Sequence, residues 1–192
     1  MGRMVFGNLQ KFISHFKLGE IMENSLFKIK LLLLDVDGVL TDGKITYSDS
    51  GEEIKSFCSK DGFGLRLLMD SGVKVGIITG RVANGALSAR CKNLGIDLIF
   101  DGIKDKSGAL KTILKSSEVE KDEVAFAGDD LPDISVMRQC GFSFAVANAS
   151  PEVIQIANYT TKNRGGDGAV REICEIILKA KGLWEGILHH WY

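Results

Sequence analysis

Five short apolar runs punctuate the chain: Leu31–Leu34, Val73–Ile78, Leu98–Phe100, Val124–Ala127 and Phe142–Val146. They are apolar at nearly every position rather than at alternate ones, which predicts strands buried on both faces of a parallel sheet. Four of them run directly into polar or acidic turns: Asp35-Val36-Asp37, Thr79-Gly80-Arg81, Asp101-Gly102 and Gly128-Asp129-Asp130. Helices fill the gaps. Asp61 is read as the cap of a helix running to Asp70, with Gly72 as its stop signal. Further helices are expected after Arg81, over Lys106–Lys115 and over Leu131–Gln139, where Pro132 is tolerated in a first turn. Val170, Ile173, Cys174, Ile177 and Leu178 line one face of a last helix. Strand and helix in alternation predict an α/β fold, a doubly wound, Rossmann-like parallel sheet. One segment breaks the alternation: Lys44–Tyr47, the turn Ser48-Asp49-Ser50-Gly51, and Ile54–Cys58 read as a β-hairpin straight after the first strand.

The ends read differently. Within residues 1–27, Val5, Leu9, Phe12, Ile13 and Phe16 follow helical spacing. Three readings stay open for this extension: a helix packing on the body or on another subunit, a weakly basic membrane-surface helix, or translation starting at Met22. Residues 28–181 form the expected domain and residues 182–192 a tail, whose Trp184 and Trp191 suggest packing. At 192 residues the chain suits one domain. A net charge of −1 argues against a nucleic-acid binder working by bulk charge. No apolar run approaches the length of a membrane span, so none is expected. Cys58, Cys91, Cys140 and Cys174 are too scattered for a zinc site and are read as thiols of a reducing, cytoplasmic compartment.

The acidic strand ends carry the chemistry. In an open parallel sheet, ligands bind outside the carboxyl ends of the strands. That brings Asp35, Asp37, Thr79, Lys106, Asp129 and Asp130 toward one crevice. A single Asp after a strand would be an ordinary turn former; D-x-D, T-G and G-D-D on three strands are more than that. Four carboxylates near one point repel strongly and need compensation. A divalent cation plus one lysine supplies it, and all-oxygen ligands suit Mg²⁺. The chemistry that fits is phosphoryl transfer.

These residues resemble a family. Asp35-Val36-Asp37-Gly38-Val39-Leu40-Thr41-Asp42-Gly43, Thr79, Lys106 and Gly128-Asp129-Asp130-Leu131-Pro132-Asp133 look like the four motifs, in order, of the haloacid dehalogenase superfamily. The resemblance implies that Asp35 attacks phosphorus and forms an aspartyl-phosphate. It implies that Asp37 is the general acid and base. Thr79 would hold the phosphoryl oxygens and Lys106 would neutralise charge. Asp35, the main-chain carbonyl of Asp37, and Asp129 would hold Mg²⁺, with Asp130 and Asp133 supporting them from behind. An acid two residues after the nucleophile goes with phosphatases in this superfamily.

Thr79 and Lys106 are only 27 positions apart, and only a hairpin and one helix fit between Asp37 and Thr79. No cap domain has room, so the site is open unless another subunit covers it. The L-T-D-G extension, the hairpin flap, Lys60-Asp61-Gly62-Phe63-Gly64 and Gly165-Gly166-Asp167-Gly168-Ala169-Val170-Arg171-Glu172 are similar to the 3-deoxy-D-manno-octulosonate 8-phosphate phosphatases. That resemblance implies a small phosphorylated acidic sugar as substrate. It also implies a homotetramer whose flap and tail close neighbouring active sites. Gly80, Arg81, Lys60 and Arg90 join Thr79 as expected substrate-binding positions, the cations for the sugar carboxylate. Three other readings compete: a phosphatase for a nine-carbon keto-sugar acid 9-phosphate, a capless phosphoprotein phosphatase, and a catalytically idle oligomerisation module. Relatives with the nine-carbon activity can carry Glu at the Arg81 position.

Overall fold

The computed structural model describes residues 19–83 and 85–192. The helical spacing of Val5 to Phe16 lies outside them. Residues 19–27 are helical (α1), with Leu26 buried in the body and the Phe27 carbonyl accepting from Lys181 Nζ at 2.7 Å.

The chain then runs β1 (Leu31–Leu34), β2 (Thr46–Tyr47), β3 (Glu53–Ile54), α2 (Ser59–Asp70), β4 (Lys74–Ile78), α3 (Gly85–Leu94), β5 (Leu98–Phe100) and α4 (Lys106–Ser117). It continues with β6 (Val124–Gly128), α5 (Ile134–Met137), β7 (Phe142–Ala145), α6 (Pro151–Ile156), β8 (Tyr159–Thr160), α7 (Ala169–Ala180) and α8 (Trp184–His189). Six strands form one parallel sheet in the order β5-β4-β1-β6-β7-β8, and β2 pairs with β3 as a separate antiparallel hairpin. The strand order turns outward in both directions from β1, so β1 is the switch point, where a doubly wound sheet opens its crevice. Helices cover both faces, which is why Leu31, Leu32, Leu33 and Leu34 are all fully buried despite pointing alternately up and down.

All five apolar runs form strands. Three expectations need correction. Asp61 does not cap its own helix: α2 starts two residues earlier, with Cys58 at its N-cap. The Asp61 carboxylate instead reaches across and accepts from the backbone N–H of Arg171 at 2.7 Å, capping the first turn of α7. Burial raises its pKa. The helix expected over Leu131–Gln139 is two pieces. A 3₁₀ turn at Leu131–Asp133, closed by a reciprocal capping box between Asp130 and Asp133, precedes the single α-turn of α5. The hairpin is shorter than its sequence suggests, because Thr46–Ile54 and Tyr47–Glu53 are its only ladder partners.

Elements α6, β8 and α8 were not expected. Helix α8 folds the tail back onto its own chain. Trp184 is buried, Arg171 lies 5.4 Å from the Trp184 and Phe63 ring centroids, and Trp191 meets Phe63 edge-on at 5.7 Å. The four cysteines are unpaired. No helix among the described residues is long and apolar enough to cross a membrane.

The loop before α7 touches the turn after β1 backbone to backbone. A Cβ on Gly165 would lie 1.6 Å from the Gly38 carbonyl oxygen, and Gly166 combines φ +68° with a similar approach to Thr41. Only glycine allows this contact. Replacing Gly165 with Ala forces the two loops apart and is expected to cost about 1–3 kcal/mol, as overpacking does. Denaturant melts of G165A against wild type measure it; an unchanged midpoint would show the contact to be slack.

Candidate active site

Because the strands are parallel, their carboxyl ends share one edge of the sheet. Asp35 follows β1, Thr79 follows β4, Lys106 opens α4 after β5, and Asp129 follows β6. These four line a cleft of about 510 Å³ together with Asp37, Gly80, Arg81, Asp130 and Asp133. Distant parts of the sequence therefore meet, as the motif order predicts.

Lys106 holds the centre. Its ammonium, 5% exposed, donates to Asp35 Oδ1 at 2.6 Å and to Asp133 Oδ1 at 2.7 Å. Burial works against its charge, but the two carboxylates more than offset this and raise its pKa. Asp35 is pushed up to about 6, first by burial and then by Asp133, with Lys106 opposing. Lys106 is held in place from behind: Asp105 caps α4 by accepting from the Gly108 N–H at 3.0 Å. Thr79 is buried, and its Oγ1 faces the Arg81 N–H at 3.4 Å.

Asp129 has no lysine of its own. Burial and the charges of Asp35, Asp133 and Asp130 raise it to about 7. One carboxylate oxygen from each of Asp35, Asp129 and Asp133 lies within 4.8 Å of the others. Asp133 is already committed: its second oxygen accepts from the Asp129 and Asp130 N–H groups at 2.9 and 3.3 Å. Asp130 is more exposed and caps the Leu131 N–H at 2.8 Å. So Asp133 does the orienting, while Asp130 shapes the turn. The donors are all hard oxygens, and three carboxylates face one ammonium, a set that suits a divalent cation. The backbone after β1 comes in close beside them, since a Cβ on Gly38 would lie 2.0 Å from Asp129 Oδ2.

The hairpin supplies what sequence reading missed. Lys55 Nζ bonds Asp37 Oδ1 and reaches Glu53 Oε1 at 2.7 Å. Arg81 Nη2 donates to Glu53 Oε2 at 2.6 Å and lies 3.5 Å from the Tyr47 hydroxyl. The only sequence signal is the alternation Glu53-Ile54-Lys55, which sends both charged residues to one face of a strand. Two expected substrate residues do not reach this cleft. Lys60 lies in a separate surface depression with Tyr159, Lys162 and Arg171. Arg90 donates to the Cys58 carbonyl at 3.1 Å and stacks 5.9 Å from the Phe57 ring centroid, bracing the start of α2. Lys60 sits in the first turn of α2 and Arg90 within α3, each away from the lining of this cleft.

A family model described as haloacid dehalogenase-like hydrolase matches residues 92–173. The 3-deoxy-D-manno-octulosonate 8-phosphate phosphatase of Yersinia pestis is 46% identical over 158 residues, 82% of this chain and 84% of that one. The same enzyme of Escherichia coli K12 is 46% identical over 154 residues, 80% of this chain and 81% of its own. A crystal structure of the Moraxella catarrhalis phosphatase, in complex with magnesium ion, phosphate ion and KDO, superposes with a TM-score of 0.87 at 40% identity, covering 90% of this chain and 98% of that one. Likeness of this extent, over a sheet whose four motif positions converge on one cleft, makes the chain a member of the 3-deoxy-D-manno-octulosonate 8-phosphate phosphatase family within the haloacid dehalogenase superfamily.

Proposed function

We propose that the chain releases phosphate from 3-deoxy-D-manno-octulosonate 8-phosphate, giving the free eight-carbon acidic sugar used for lipopolysaccharide, through an aspartyl-phosphate on Asp35. The observation that carries the chemistry is the Asp133–Lys106–Asp35 bridge beside Asp129. It holds a carboxylate nucleophile still, with its charge partly neutralised, where a phosphoryl group can enter. The sugar assignment is supported by the family relationship.

An Asp35 oxygen attacks phosphorus; the O–P bond forms as the ester P–O bond breaks. The leaving alkoxide takes its proton from Asp37. A water oxygen then attacks the phosphorus of the aspartyl-phosphate while Asp37 takes the water's proton. The Asp35–phosphorus bond breaks, phosphate leaves, and Asp35 is restored. Thr79 and neighbouring backbone N–H groups hold the phosphoryl oxygens, and Lys106 offsets charge on Asp35 and phosphate. Asp35, Asp129 and the main-chain carbonyl of Asp37 would hold Mg²⁺. When bound, the ion screens the phosphoryl oxygens from the carboxylates and stabilises the charge that develops in transfer. Of the three cations expected for the sugar carboxylate, Arg81 lines the cleft.

We further propose that the working form is a homotetramer in the cytoplasm. A hairpin of two-residue strands is too small to be stable alone. Ile45, Tyr47 and Ile54 of this hairpin stand 50%, 59% and 50% exposed, an apolar surface that a second copy's hairpin would cover.

Phosphate release with Mg²⁺ across a panel of sugar phosphates tests the reaction. The eight-carbon substrate is expected to exceed all others, the nine-carbon analogue included, by about a hundredfold in kcat/KM, with activity lost in D35N and in EDTA. Equal weak rates on every ester would refute the substrate assignment. Charge at the cation site has its own signature. Asp129 and Asp35 sit near 7 and 6 when folded, against 3.8 for a free Asp. The metal-free folded state therefore binds more protons than the unfolded chain between about pH 4 and 7, and loses stability as pH rises through that window. In EDTA, the Tm of wild type relative to D129N should fall from pH 5 to pH 8, and Mg²⁺ should restore more at pH 8. A flat difference would contradict the shared-charge account. Finally, I54D should shift sedimentation toward smaller species; an unchanged profile would remove the hairpin from the interface.

A further inference from the structure

Lys55 lies outside the motifs that carry the phosphatase reading, yet it is the group that grips Asp37. Its side chain is 6% exposed, and its ammonium is bonded to Asp37 Oδ1 and Glu53 Oε1. Glu53 Oε2 in turn accepts from Arg81 Nη2, and Arg81 Nε stands 3.9 Å from Asp37 Oδ2. Asp37, Lys55, Glu53 and Arg81 thus close a ring of two anions and two cations, two members from the hairpin and two from strand ends. A buried ammonium is tolerable only when paired, so the ring holds its members tightly in register. Lys55 occupies Asp37 Oδ1, while Oδ2 has only the longer 3.9 Å approach of Arg81 Nε among the ring's contacts.

We propose that Lys55, braced by Glu53, is a positioning residue for the acid–base step. It fixes the Asp37 carboxylate so that Oδ2 meets the leaving oxygen, and so makes that step depend on the hairpin being seated. The proposal rests on Asp37 being the acid and base of the reaction above. An acid held about 1 Å out of place loses on the order of a hundredfold in rate. The loss falls on substrates that need the acid: an alkoxide leaving group does, and p-nitrophenolate hardly does.

The test is kcat/KM, which reports the steps through ester cleavage, for wild type, K55M, E53Q, D37N and K55M/D37N. Each is assayed with 3-deoxy-D-manno-octulosonate 8-phosphate and with p-nitrophenyl phosphate. K55M is expected to lose about a hundredfold on the sugar ester and less than about threefold on the aryl ester, with E53Q showing the same selectivity to a smaller extent. The double variant should be no slower on the sugar ester than D37N alone, because Lys55 acts through Asp37. Equal losses on both esters, or losses that multiply in the double variant, would overturn the proposal and make Lys55 a hairpin anchor only. D37N retaining full turnover of the sugar ester would instead overturn the acid–base assignment beneath it.

Discussion

One buried ammonium organises this molecule's working edge. Lys106 sits buried between Asp35 and Asp133, and each pairing is short. Desolvating three charges is expensive, and removing one partner of such a set typically costs about 3–5 kcal/mol because the others are left unmatched. The arrangement persists because every remaining oxygen has work. Asp133 spends its second oxygen on two backbone N–H groups after β6. Asp35 also brings a carboxylate oxygen within 4.8 Å of Asp129 and Asp133. The bridge therefore ties the ends of β1 and β6 to the start of α4, fixing three elements that the sheet alone brings only near one another. It also leaves the site with more negative than positive charge. Burial and that uncompensated charge together raise Asp129 and make a divalent cation the natural complement.

Close backbone approach is the second constraint. Around the bridge, glycines allow chain to touch chain: Gly38 against the Asp129 carboxylate, Gly128 against Asp133, and Gly165 against the Gly38 carbonyl. These contacts link the loop before α7 to the turn after β1. Asp61 pins the other end of that loop by capping α7 from α2. Glu172 pins its middle, accepting from the Lys162 and Asn163 N–H groups at 3.0 Å. A chain of ordinary caps and turns thus carries rigidity from the far helices to the cleft carboxylates.

How much of this was readable follows from the range over which each signal acts. The strands were legible because burial on both faces leaves no polar positions, as in Leu31–Leu34. The acidic strand ends were legible because a parallel sheet collects them at one edge whatever the strand order. Strand β8 was not, because two half-buried residues at a sheet edge carry no periodicity. Asp61 was misread because capping its own helix and capping another look the same locally; only the packing of α2 on α7 separates them. Lys60 and Arg90 were offered as cations for a sugar carboxylate, and residue type alone does not say which surface a cation faces; Lys60 lies in a separate depression and Arg90 is spent on the Cys58 carbonyl. Glu53 and Lys55 carry no motif that marks them, since nothing in the sequence states where a hairpin leans.

That lean matters for how an open site gains selectivity. Among the described residues no cap domain covers the cleft beside Asp35, and phosphoryl transfer is favoured by excluding water from it. The hairpin is the nearest element able to do so, and its strands alternate in purpose. Glu53 and Lys55 turn inward to Asp37 and Arg81, while Ile54, between them, turns out to solvent. One face is therefore spent on the catalytic ring and the other remains free for a second copy. If neighbouring copies bury that outer face, assembly would press the inner face onto Asp37, and the proposed acid–base group would be fully aligned only in the oligomer. Under the proposed roles, a cleft carboxylate gripped from a two-residue-strand hairpin would give this fold a physical reason to assemble, apart from the area it would bury.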